Sequence, residues 1–198
     1  MRGGINITVA TAECHRGGVR RILLKVDKDV VHAELDRARA AFHQLVDGAS
    51  AEGLRRPSNG TRWSNRQLLF HMLLGYLIMR ALMTLVRLFG RLPAGVSRSY
   101  ARLLNRATRP FDAVNYAGSA LGGTFLSPRR MGIMFDHVIA ALHRRLDAET
   151  DIDLGRGMHY PTRWDPFFQD FMTLADVYHF PTQHFDFHRS QLTLGTDG

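Results

Sequence analysis

The sequence predicts an all-α protein: a four-helix bundle with a long crossover between its second and third helices. Three observations predict it. Apolar residues recur at three- and four-residue steps in separate segments, a spacing that gathers them on one face of a helix. Stretches bearing glycine and proline, which halt helices, divide those segments. The stretch 90–127 is too long for a hairpin turn and suits passage to a distant position in a bundle.

The 198 residues, 45% of them hydrophobic, suffice for one cored domain. Residues 1–26 read as an N-terminal extension, 27–194 as the helical domain and 195–198 as a tail. Within the extension, Ile5-Asn6-Ile7-Thr8-Val9 alternates as a short strand does, and Ile22-Leu23-Leu24 is a second apolar run. The extension is expected to be a tail or a segment that docks on the domain or on a second subunit, which would make a homodimer. No long apolar run there marks a secretory leader, so the cytoplasm is the expected compartment. The single cysteine, Cys14, has no intrachain disulfide partner.

The first helix is expected over about Asp27 to Asp47, with Val31, Leu35, Ala38, Phe42 and Leu45 on its core face. His32 and His43 fall on another face and read as part of a solvated stripe. Pro57-Ser58-Asn59-Gly60 is a turn. Ser64-Asn65-Arg66-Gln67 then has the form of a capping box opening a second helix that extends to about Phe89. Its length invites a membrane-spanning reading. However, Arg80, Thr84 and Arg87 share one face, and Arg80 near mid-span would cost about 3 kcal/mol in a bilayer. A buried amphipathic helix is expected instead. In the crossover, Ser97 to Ala107 suits a short helix, and Gly118, Gly122 and Gly123 suggest tight or mobile backbone.

The third long helix is expected from Pro128 to about Glu149, with His137 and His143 at its surface. Asp151 to Phe168 reads as a connection. Its Tyr160, Trp164 and Asp165 are expected either to wall a substrate pocket or to belong to a packed connecting loop; Gln191 further on is a further candidate for the pocket. The last helix is expected to start near Thr173, with Thr173-Leu174-Ala175-Asp176 in the form of a capping box. Pro181 is expected to kink or split it by removing one backbone donor.

Formal charge is +8, from 26 basic and 18 acidic residues. Between Glu52 and Asp112 there are eleven arginines and no Asp or Glu. Such a region attracts anions, though a solvated arginine face is the plainer reading. No nucleic-acid-binding motif is present, so a small-molecule substrate is expected ahead of a nucleic-acid or membrane partner.

The most informative residues are histidines. His184 and His188 lie four apart, which on a helix puts both imidazoles on one face, one turn apart. Two neutral imidazoles so placed can chelate one divalent ion. His71, on the apolar face of the second helix, is the best candidate for a third ligand. Asp186 is out of helical phase with the pair.

Two motifs carry a family resemblance. Trp63-Ser64-Asn65-Arg66-Gln67-Leu68-Leu69-Phe70-His71 opens the second helix, and His184-Phe185-Asp186-Phe187-His188 lies in the last. In this order and across this helix count, they resemble the DinB superfamily of metal-binding four-helix bundles, over about Val26 to Leu194. The resemblance implies a three-histidine site at His71, His184 and His188 that holds a divalent ion such as zinc or nickel with one position open. It further implies activation of a low-molecular-weight thiol, such as mycothiol or bacillithiol, for S-transfer or isomerisation. A metal-dependent hydrolase or tailoring enzyme acting on water, and a non-catalytic metal-binding or regulatory bundle, are the alternatives.

Overall fold

A computed structural model describes residues 27–194. The expectations for the 1–26 extension, Cys14 included, and for the 195–198 tail lie outside the described residues. In chain order the elements are α1 (Lys28–Asp47), α2 (Ala51–Arg55), α3 (Asn65–Phe89), α4 (Ala94–Arg106), α5 (Thr108–Phe125), α6 (Pro128–Asp147) and α7 (Asp151–Leu154), then strands β1 (Gly157–His159) and β2 (Phe171–Thr173), and finally α8 (Leu174–Arg189).

Helices α1, α3, α6 and α8 form the bundle, with α1 against α6 and α8, and α3 against the same two. Each starts where its side chains satisfy the free N–H groups of a first turn. Asp27 accepts from the Asp29 N–H, and Ser127 accepts from that of Arg130. Ser64 with Gln67, and Thr173 with Asp176, form reciprocal capping boxes. Between the helices, Phe42 stacks on Phe135 with ring centroids 4.3 Å apart, and Tyr76 packs edge-on to Phe135 at 4.9 Å. The buried Tyr76 hydroxyl is paired with Thr182 Oγ1 at 3.1 Å.

Helix α3 is long and apolar enough to cross a membrane by composition, yet half of its most apolar window is buried. It lies against α5, α6 and α8. Beside its last turn, the fully buried Glu149 carboxylate binds Arg87, takes the Tyr178 hydroxyl at 3.3 Å and sits 3.7 Å from Arg145 Nε.

Several local expectations change. The crossover holds two helices, α4 and α5, rather than one short helix in glycine-loosened chain. Its glycines are contact points. A Cβ on Gly123 would lie 2.5 Å from the Gln67 Cα, and one on Gly122 would collide with the Phe70 ring. Absent side chains let α5 lie flat on α3, the close approach for which glycine suits a helix interface. Helix α8 runs through Pro181 unbroken. The surrounding turn is held by the burial of Val177, Tyr178, Phe180, Pro181 and Phe185, which offsets one missing donor. His32 and His43 are paired rather than a solvated stripe, and His143, expected at the surface, is half-buried. His32 and His143 stack at 4.8 Å across the α1–α6 seam, flanked by Asp147 and Asp36, and His43 pairs with Asp136 at 2.9 Å. The 151–173 connection is partly ordered as α7 and an antiparallel pair, in which Met158 faces Met172.

Candidate metal centre

Helix α3 presents His71 from its second turn, and α8 presents His184 and His188 one turn apart. These two helices pack side by side in the bundle. The outcome is a cluster in which one ligating atom from each of the three rings lies within 4.8 Å of the others. His71 Nε2 and His188 Nε2 face each other at 3.2 Å. Two imidazole nitrogens bound to one tetrahedral ion at ordinary metal–nitrogen distance lie about 3.3 Å apart, so the spacing of this pair fits.

Neighbouring side chains orient the rings. Gln191 Oε1 accepts from His188 Nδ1 at 2.7 Å, which puts the proton on that nitrogen and leaves Nε2 a bare lone pair. His71 Nδ1 lies 3.1 Å from the buried Ser119 hydroxyl of α5. A hydroxyl can donate or accept. By accepting from Nδ1–H, Ser119 frees the His71 Nε2 lone pair for an ion. Trp63 stacks on the other side of His71, with centroids 4.5 Å apart. His184 Nδ1 is buried without a hydrogen-bond partner. That ring lies over Gly75, where a Cβ would come within 3.1 Å of Nδ1.

Burial also sets the charge state. Desolvation pushes His71 down to about 3, with a further contribution from His188, and pushes His184 well below its ordinary value. His188 is lowered by burial against the opposing pull of Gln191. All three are therefore neutral near pH 7, the form that ligates a metal.

The histidines open into a cavity of about 220 Å³ lined mainly by Trp63, Ile78, Phe111, Trp164, Asp165, Phe167, Phe168 and Phe187. Trp164 stacks on Phe111 of α5 at 4.0 Å, and its indole N–H donates to the Leu104 carbonyl at 2.8 Å. Asp165 Oδ2 lies 3.6 Å from His184 Nε2, and burial raises its carboxyl to about 6. Asp165 is not one of the converging ligands, and among the described residues no fourth His, Cys, Asp or Glu joins the three.

Of the expected pocket residues, Trp164 and Asp165 line the cavity. Tyr160 does not. Its N–H donates to the Asp170 carbonyl in continuation of β1, and its ring turns into the core against Phe168 at 5.2 Å. Gln191 serves the site through His188 rather than as a wall. Asp186 points away and forms a two-point pair with Arg37 at 3.0 and 2.9 Å. Ser119 and Phe111 were not legible as site residues, because they lie in an interval that reads as a connection.

No curated protein and no solved structure matches the chain. The family model of the DinB superfamily matches residues 34–192, a span that includes all three histidines and all of the bundle but the start of α1. On that match, the chain belongs to the DinB superfamily.

Proposed function

We propose that the protein is a metal-dependent enzyme that uses His71, His184 and His188 to hold a divalent ion, zinc or nickel, and activates a low-molecular-weight thiol for S-transfer or isomerisation. The observation that carries this reading is the donor set: three neutral imidazoles, with no fourth ligand among the described residues, facing a cavity lined by aromatic rings. Structural ions are commonly enclosed by four protein ligands, whereas three and an open side suit chemistry. When bound there, a divalent ion supplies Lewis acidity that makes a thiol or a water acidic near pH 7.

The chain's own residues do the rest. Gln191 fixes the ring nitrogen that His188 presents, and Ser119, acting as an acceptor, does the same for His71. Trp164, Phe111 and Phe187 exclude bulk water and cover an apolar acceptor. Asp165, which lines the cavity and whose carboxyl burial raises to about 6, takes the proton of the thiol in this reading. The sulfur lone pair then forms a bond to the electrophilic carbon of the acceptor, and the leaving group departs with its bonding electrons. Water in place of the thiol would give hydrolysis by the same proton transfer.

The test is turnover of an electrophile panel by zinc- or nickel-loaded protein, with mycothiol, with bacillithiol and with no thiol added. Thiol consumption that needs the metal is expected. Equal rates in the His71→Ala/His184→Ala/His188→Ala protein would overturn the reading, and full activity without thiol would reassign it to hydrolysis.

A further inference from the structure

A second cleft lies beside the histidine cavity, lined by Arg102, Asn105, Arg106 and Arg163. Arg102 and Arg106 are four apart on α4 and so share one face. Arg163 arrives from the loop between β1 and β2. That loop is pinned to α4: Asn105 Oδ1 accepts the Arg163 backbone N–H at 3.1 Å, and the Leu104 carbonyl takes the indole of Trp164. Two distant stretches of chain are thus held so that three arginines line one cleft.

Like Arg55, Arg91, Arg98 and Arg109, these three arginines have no carboxylate partner among the described residues; what distinguishes them is that they line one cleft. Elsewhere Arg37, Arg39, Arg56, Arg87, Arg145 and Arg156 each pair with an Asp or Glu. Among the described residues, none of Arg102, Arg106 and Arg163 forms an ion pair. Like charges four apart on a helix repel, and a third brought in by the loop adds to the repulsion. An anion in the cleft removes it. Guanidinium forks match phosphate oxygens two at a time, and three of them exceed what a single carboxylate can use.

We infer that this cleft is an anion-binding site for a phosphate- or pyrophosphate-class group. Arg163 lines the cleft and its chain neighbour Trp164 lines the histidine cavity, so the two spaces share a wall. A substrate with a phosphorylated end and an apolar reactive end would span both. That extension to the substrate rests on the catalytic reading above; the anion site itself does not.

The experiment is calorimetric titration of pyrophosphate into the full chain, stripped of metal, at low ionic strength. Arg102→Gln/Arg106→Gln and Arg163→Gln are each expected to weaken binding about tenfold or more, the loss of charge-assisted hydrogen bonds. Arg91→Gln/Arg98→Gln removes the same charge outside the cleft and is expected to change affinity less than twofold. An equal loss in that control would show a diffuse field and overturn the site. Failure to bind pyrophosphate, with retention of duplex DNA or of anionic phosphatidylserine vesicles, would overturn it in favour of a macromolecular surface. The triple histidine variant is expected to bind pyrophosphate normally; loss there would place the anion at the histidines instead. Intact pyrophosphate binding in a protein without thiol or hydrolytic activity would sink the catalytic reading and leave the anion site standing.

Discussion

Ser119→Ala isolates the positioning of His71 from its ligation. In the parent, the Ser119 hydroxyl is fully buried and lies 3.1 Å from His71 Nδ1. With an ion bound, Nδ1 carries the proton and Ser119 is its acceptor. Alanine leaves that buried N–H without a partner, at a cost of about 1–3 kcal/mol. Without an ion the ring can shift its proton to Nε2 and donate to His188 at 3.2 Å, so the penalty in the metal-free protein is smaller. The difference falls on metal affinity, which is expected to drop about 10–100-fold, as for other losses of a partner behind a ligating histidine. Competition of zinc and of nickel against a chromophoric chelator reads this directly. Thermal melting of the metal-stripped proteins provides the control. Affinity within twofold of the parent, with a lowered melting temperature, would refute the reasoning and leave Ser119 as a packing residue.

Two further outcomes are expected. In metal-stripped protein, His71 and His184 have folded-state pKa values depressed below those of the unfolded chain, so between about 3 and 6.5 the unfolded state binds more protons and stability falls as pH falls through that window. Asp165, raised to about 6, acts with the opposite sign but is a single and less buried group, so the net slope in urea titrations should follow the histidines and flatten in His71→Ala; a flat parent profile would contradict this. Gly123→Ala sets a Cβ 2.5 Å from the Gln67 Cα and 3.0 Å from the Arg66 carbonyl oxygen, which forces α5 away from α3 at about 1–3 kcal/mol. Because Ser119 lies one turn away on the same face of α5, metal affinity should fall together with denaturation midpoint; an unchanged midpoint would mean that the helices do not meet as described.

The sequence by itself determined the bundle and its ligand pattern. Apolar periodicity and capping boxes are local properties, so Ser64 with Gln67 and Thr173 with Asp176 announce helix starts wherever the helices end up. The four-residue step of His184 and His188 is likewise set by helical pitch alone. What the chain order could not reveal is which side chains from remote stretches meet. Gly122 and Gly123 read as loose backbone until α3 is laid against them, because a missing Cβ has the same local meaning in a loop and at a helix contact. Ser119, Phe111 and the Arg163 loop join the site only through the packing of α5 and α4, and no spacing rule connects residues that far apart in sequence. Pro181 shows the converse case. Its local cost is real, but the burial of its neighbours in α8 outweighs it, and burial is decided by tertiary structure.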